Sequence, residues 1–283
     1  MKVTPLLTAI ALSSNPLTAG VIFTDTFSGS GSPDPVWVTD TSGDSTVNAT
    51  VSVSGGALNV NTDSVEGLAV ARHTLELTGS GAPVLTLGSS WTVQANMTLA
   101  DGSAFATMAG GEGVALSFGV RNNLPSTDDR AQINFAALNF AGGPDFAVRG
   151  AHVTAGAETG PITNLGAASA PLTATMRMAY DAGTGLISFG ADTGVGFFEL
   201  VTPVDTSVWS MTASDPLLIQ LELGMAKFDD LPADSTFSIE DGEATINSFT
   251  IFDEVLATNT IPEPGTLLLS ALGMAGLVLR RRR

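Results

Sequence analysis

Between residues 21 and 260 apolar and polar positions alternate in short runs, and helical periodicity is nearly absent. Val47-Asn48-Ala49-Thr50-Val51-Ser52-Val53 alternates residue by residue, as do Trp91-Thr92-Val93-Gln94-Ala95-Asn96-Met97 and Leu217 to Leu223. Successive side chains leave a strand on opposite sides, so each such run turns one face to a core and the other to solvent. The runs are rich in Val, Thr, Phe, Leu and Ala, with Gly, Asp, Asn and Pro clusters breaking them at intervals of roughly 8 to 15 residues. Roughly a dozen or more strands of this kind predict an all-β fold, an antiparallel two-sheet sandwich rather than one open sheet. The 31 glycines follow no fixed short repeat, which disfavours a solenoid or a propeller.

The two ends break the pattern. Residues 1–20, MKVTPLLTAIALSSNPLTAG, place Lys2 before a short apolar stretch from Leu6 to Leu12 and end on Ala19-Gly20. That is the layout of a signal peptide, cut after Ala19 or after Gly20. Pro5 and Pro16 argue against a buried first strand. At the other end, a tail over residues 258–283 contains Ile261-Pro262-Glu263-Pro264-Gly265-Thr266, then Leu267 to Leu279 without a charge, then Arg280, Arg281, Arg282 and Arg283. An apolar helix over 266–279 is expected to enter the inner membrane. Its uncharged 13 residues span about 20 Å, short of the roughly 30 Å hydrocarbon core, so snorkelling arginine stems and local thinning would help it cross. The four arginines orient it with the terminus in the cytoplasm. The body over residues 21–257 then lies on the outer face, which agrees with the signal segment.

Pro262, Glu263 and Pro264, an apolar helix and a basic terminus, in that order, resemble the PEP-CTERM sorting signal of Gram-negative bacteria. The resemblance implies recognition by an exosortase, a membrane-embedded cysteine transpeptidase-like enzyme that cuts near the motif and delivers the body outside. The helix would then be inserted only transiently, and the mature protein would be at the cell surface or extracellular. Proteins of this kind are associated with extracellular matrix, floc or biofilm, so exopolysaccharide and matrix components are candidate partners. The alternative is an ordinary C-terminal anchor. A glycolipid-anchor tail would stay apolar to its end.

Phrases within the body resemble the concanavalin A-like (laminin G-like) jelly-roll superfamily. Phe23-Thr24-Asp25-Thr26-Phe27 is similar to its opening strand, and Gly55-Gly56-Ala57-Leu58-Asn59-Val60 to the turn and strand that follow. Gly111 to Phe118 resembles the central strand that in lectins reads Asp-Gly-hydrophobic-Ala-Phe, and Met176 to Phe189 a hairpin turning at Asp181 to Gly185. Glu243 to Phe252 is expected to close the sandwich beside the first strand.

Charge removes several partners. The whole chain has 11 Lys+Arg against 28 Asp+Glu, a net of -17. Without Lys2, the four terminal arginines and Glu263, the body keeps 6 cations against 27 acids, or -21. Such a surface repels nucleic acid and anionic lipid. Cysteine is absent, so neither a disulfide, a thiol nucleophile nor a cysteine metal site is available.

Chemistry is sparse. A glycosidase of the jelly-roll type needs two carboxylates facing one sugar, from one strand face or from two facing strands; in the relevant family they recur along one strand as Glu-x-Asp-x-x-Glu or Glu-x-Asp-x-Glu, and no such run occurs. Asp241 and Glu243 share a face but adjoin a glycine turn. His73 and His152 are isolated, without a serine elbow or a zinc-ligand spacing. Calcium is the one candidate ion, through the hard oxygens of Asp128, Asp129, Asp181, Asp229 and Asp230, although none of these turns follows an Asp-x-Asp-x-Asp-Gly loop. No other cofactor is expected. Trp37 and Trp209 lie near loops and are the candidate aromatic platforms for a sugar, with buried or edge packing the alternative for each and the favoured one, while Trp91 reads as core. The expectation is a non-enzymatic surface or matrix protein with a structural or adhesive role. The alternative is a lectin-like carbohydrate-binding module, calcium-assisted or not, and the third reading is a glycoside hydrolase.

Overall fold

The computed structural model describes residues 20–42, 46–62, 70–122, 129–139, 143–154, 157–227 and 238–258. In chain order the strands are β1 (Val21–Asp25), β2 (Trp37–Thr39), β3 (Ala49–Ser54), β4 (Ala57–Thr62), β5 (Val70–Leu77) and β6 (Leu85–Thr86). They continue as β7 (Trp91–Leu99), β8 (Glu112–Asn122), β9 (Arg130–Leu138), β10 (Asp145–Thr154), β11 (Ala157–Thr159) and β12 (Ile162–Ala167). The last five are β13 (Leu172–Asp181), β14 (Leu186–Asp192), β15 (Phe198–Asp205), β16 (Pro216–Lys227) and β17 (Ala244–Phe252). One 3-10 turn, Thr206–Val208, is the only helical element among the described residues.

The strands form two antiparallel sheets. Sheet A runs β15-β14-β13-β7-β17-β4-β3, with β1 also on β17, and sheet B runs β11-β10-β9-β8-β16-β5-β2, with β12 on β10 and β6 on β16. This is the antiparallel two-sheet sandwich that the alternation called for, in the jelly-roll form that the resemblance implied. The closing strand β17 pairs with β1 from Val21↔Phe252 to Asp25↔Phe249, as expected from the sequence. The β3–β4 hairpin turns at Gly55 and Gly56, both at positive φ (61° and 79°), where a side chain would be strained.

Alternation fails to locate one boundary. The run beginning at Val47 is not one strand, because Asn48 adopts a left-handed conformation (φ 52°). Val47 bridges to Arg72 in sheet B, whereas Ala49 onward pairs with β4 in sheet A. The left-handed residue lets the chain change sheets without losing its polar-apolar rhythm.

Trp91, Phe118, Phe135, Phe189 and Phe249 are fully buried between the sheets, each stabilising the fold by about 1.5–3 kcal/mol. Phe249 of sheet A packs edge-on against Trp37 (5.2 Å) and Phe118 (5.9 Å) of sheet B. Tyr180 packs on Trp91, and its hydroxyl donates to Leu87 O at 2.9 Å, so its polar end is satisfied inside. The expected apolar helix over 266–279 lies outside the described residues, among which no helix is long and apolar enough to cross a membrane.

Candidate functional site

Paired residues of neighbouring strands share a face, so the outer face of sheet B is assembled in rows. One row crosses β5, β16, β8, β9, β10 and β12 as Thr74, Glu222, Ser117, Asn134, Arg149 and Ile162. The next holds Glu76, Gln220, Gly119, Gln132 and Ala151, and the one beyond it Leu218, Arg121, Arg130 and Val153. On the other side lie Arg72, Gly224, Ala115, Ala136 and Ala147.

Small residues in the last row let the face sink into a hollow. Ala136, Leu138 and Ala147 form a small buried apolar cluster with Ala115 against it, separate from the main core. This floor and the polar row beside it line a shallow cleft of about 130 Å³, bounded by Arg149, Ile162 and Glu222. A second, smaller hollow of about 40 Å³ adjoins it, shares Ser117, Gln132 and Glu222, and is flanked by Arg121 and Arg130.

Hydrogen bonds hold the polar groups in place. Ser117 Oγ and Gln132 Nε2 both donate to Asn134 Oδ1, at 2.5 and 3.0 Å. Arg121 Nη2 and Gln220 Nε2 donate to Glu76 Oε1, at 3.1 and 3.0 Å. Arg149 Nε donates to Gly160 O at 2.8 Å, and its Nη1 pairs with Glu158 Oε1 at 2.6 Å. Gly160 can make this contact because it lacks a Cβ. At φ 143°, a Cβ there would meet Gly150 O at 2.2 Å. Arg72 faces Glu222 at 3.7 Å, and Arg130 faces Glu158 at 3.9 Å. The face thus presents a planar lattice of amides, guanidinium groups and carboxylates over an apolar floor, suited to hydrogen-bonding a ligand rich in hydroxyl groups.

None of the described residues that the sequence singled out as ligand contacts lines this cleft. Trp37 is 5% exposed, donates from Nε1 to Asp25 Oδ2 at 2.9 Å and joins the Phe249 cluster. Trp209 is 4% exposed, and its buried Nε1 has no hydrogen-bond partner among the described residues. Buried indoles offer no platform to a sugar, and Trp91 is core as expected. Asp129 is buried, and its Oδ2 accepts from Asn122 Nδ2 (3.0 Å) and Ser210 N (2.8 Å), tying the end of β8 to the loop after Trp209. Asp181 caps its own hairpin turn through Gly183 N (2.8 Å) and Thr184 Oγ1 (3.1 Å). Asp128, Asp229 and Asp230 lie outside the described residues, as do Pro262, Glu263, Pro264 and Arg280, Arg281, Arg282 and Arg283. Among the described residues no group of three or more His, Asp or Glu gathers as a metal site.

His73 points into the sandwich, where its ring nitrogens lie 3.2 Å from Ala49 O and from Thr39 Oγ1. Burial pushes its pKa down, and the bond to Ala49 opposes the shift. His152 pairs with Thr159 at the sheet edge, its pKa also lowered by burial. Asp241 accepts from Asn61 Nδ2 at 2.7 Å and Ser52 Oγ at 3.3 Å, locking the entry to β17.

The residues that build the cleft escaped a reading of the sequence directed at carboxylates and tryptophans. Arg130-x-Gln132-x-Asn134 alternates with Ala131, Ile133 and Phe135, so a half-buried strand was legible there. That its polar face meets those of β8, β10 and β16 required the pairing.

In overall fold the chain is similar to several glucanases of known structure. A non-specific endo-β-1,3(4)-glucanase of family GH16 superposes with a TM-score of 0.57 at 14% identity, covering 84% of this chain and 92% of that one. An endo-1,3-β-glucanase from Streptomyces sioyaensis gives 0.55 at 15%, covering 88% and 100%. An immunostimulatory antigen and pseudo β-1,3-glucanase of Mycobacterium tuberculosis gives 0.51 at 15%, covering 83% and 99%. At these identities the likeness establishes the fold alone: the body has the two-sheet jelly roll that these proteins share. Residues 260–283 match the PEP-CTERM protein-sorting motif. That motif marks the chain for export and exosortase processing, with anchoring through the C-terminus, in Gram-negative bacteria. No curated protein matches the chain in sequence.

Proposed function

We propose that this chain is an exported, exosortase-processed surface protein whose jelly-roll body is not an enzyme and acts in adhesion, holding an extracellular glycan in the outer cleft of sheet B. The observation that carries this reading lies on β9. Its outward positions 132, 134 and 136 have the spacing of a Glu-x-Asp-x-Glu run and hold Gln, Asn and Ala instead. Two amides in place of two carboxylates keep hydrogen-bonding groups toward a sugar and remove both a nucleophile and a proton donor. Among the described residues no strand of sheet B carries two outward carboxylates. Glu76 and Glu222 sit on different strands, the first engaged by Arg121 and Gln220 and the second facing Arg72. A cleft lined by Ser, Asn, Gln, Arg and Glu suits retention of a polysaccharide in the matrix outside the cell.

The glucanase fold of the similar structures keeps hydrolysis as the competing reading. The deciding experiment incubates the purified full chain with laminarin and with a mixed-linkage β-glucan and follows reducing-end release. No release above the blank is expected. Release that disappears in Glu222→Gln or Glu76→Gln would overturn the non-enzymatic reading.

A further inference from the structure

We infer that the glycan held by the sheet B cleft carries carboxylate groups, as in a uronic-acid polymer, with Arg149, Arg121 and Arg130 as its carboxylate-binding side chains. The inference rests on the glycan-binding reading above and narrows it to one chemical class.

The argument begins with where the positive charge is. The body has 6 cations in a net charge of -21. Arg72, Arg121, Arg130 and Arg149 all stand on the outer face of sheet B, and Lys227 ends β16 of that sheet. Only Arg177 lies elsewhere, on sheet A, over the ring of Phe197 at 3.7 Å. Random placement on so acidic a protein would not gather its scarce cations on one face, and solubility gives no reason to do so.

The guanidinium groups of Arg121 and Arg149 have donors to spare. A guanidinium has five N–H donors in a rigid fork that matches a carboxylate. Arg121 gives one N–H to Glu76. Arg149 uses its Nε and Nη1 on Gly160 and Glu158. The glutamates therefore fix the forks in position and leave further N–H groups for a ligand. Arg149 is in register with Asn134, and Arg121 with Arg130. The four-residue offset from Asn134 to Arg130 corresponds to about 14 Å along β9, enough for successive sugars of one chain to be read at both ends. Between them Gln132 and Asn134 meet hydroxyl groups.

Aromatic residues give the complementary evidence. A neutral glucan is typically gripped by stacking on an exposed ring, and Phe118, the one aromatic residue along the two hollows, is buried with its ring packed against Phe249 in the core. Charge-assisted hydrogen bonds are the remaining source of affinity. The acidic surface around the cleft repels a polyanion at a distance, so recognition is local. Binding is expected to strengthen as salt shortens the screening length toward about 8 Å, and to weaken only at higher salt.

The test measures binding of the purified full chain to polygalacturonate, to the same polymer with its carboxyl groups reduced to alcohols, and to laminarin. Polygalacturonate is expected to bind, the reduced polymer at least about tenfold more weakly, and Arg149→Gln and Arg121→Gln each about 10- to 100-fold more weakly with unchanged melting temperature. Arg121→Gln stands at the far end of the cleft, so it reports independently if Arg149→Gln disturbs folding. Equal binding of the native and reduced polymers would overturn the carboxylate assignment and leave glycan binding intact. Binding to none of the three would overturn both.

Discussion

Ser117 donates its hydroxyl to Asn134 across the β8–β9 pair, at 2.5 Å, in the middle of the cleft. Ser117 is 2% exposed, so its hydroxyl has no solvent to turn to if that acceptor is removed. Asn134→Ala is therefore expected to destabilise the protein by about 1–3 kcal/mol. Gln132→Ala leaves the Ser117 bond intact and should cost less than about 1 kcal/mol. Urea unfolding of both variants checks the difference. Adding Ser117→Ala to Asn134→Ala should recover part of the loss, because no buried hydroxyl then lacks a partner.

Phe249 joins the sheets through its edge-on packing against Trp37 and Phe118. It is fully buried, so Phe249→Ala is expected to cost about 3–5 kcal/mol and to lower the melting temperature of the whole sandwich. Phe249→Leu should cost appreciably less. Thermal unfolding followed by tryptophan fluorescence reads both, since Trp37 lies in the affected cluster.

Acid should destabilise the fold through His73. Burial lowers its folded pKa below the ordinary 6.5, so at mildly acidic pH the unfolded chain binds a proton that the folded chain does not. Stability from this group is complete above about 6.5 and is lost as pH falls through the window between that value and the lowered one. His152 shifts in the same direction. Unfolding curves between about pH 7 and about pH 5 should show the loss, and His73→Gln should flatten it. An unchanged slope in that variant would remove His73 as the cause.

The segment that leads to the sorting tail is fastened to the outer face of sheet A. Thr92 Oγ1 donates to Glu254 O at 2.6 Å and accepts from Leu256 N at 2.9 Å. Farther along, Arg177 Nη1 donates to Ala257 O, and Thr258 lies over Gly190, where a Cβ would meet its carbonyl oxygen at 2.3 Å. This strap is on the face opposite the cleft. Thr92→Val with Arg177→Ala should release the strap while leaving the core folded. Limited proteolysis with intact-mass readout should then find cuts between about residues 253 and 258 that the parent resists. Equal protection in both proteins would show that the strap does not depend on these two side chains.

Much of the fold was legible residue by residue. The period-two runs at Trp91 and Leu217 became β7 and β16, and Asp181 to Gly185 became the turn between β13 and β14. The run at Val47 was misplaced because Asn48, at φ 52°, moves the chain between sheets without breaking the alternation. The cleft was not legible. Trp37 and Trp209, the candidate platforms, are large enough to serve a core or a surface, and local sequence does not distinguish the two; the packing of Phe249 and its neighbours buried Trp37.

What the sequence determined by itself is what depends on neighbours along the chain. The side-chain period assigned strands, the glycine and aspartate turns separated them, and Pro262-Glu263-Pro264 with its apolar and basic followers marked the sorting tail. The tertiary structure alone decided which polar faces meet. Glu222, Ser117, Asn134 and Arg149 come from four strands, brought into one row by the pairing of β16 with β8 across a hundred residues of chain. Alternation tells a strand which of its faces is polar but carries no information about its partner. That partner is chosen by long-range packing of the buried faces, and the cleft is the consequence on the other side of the sheet.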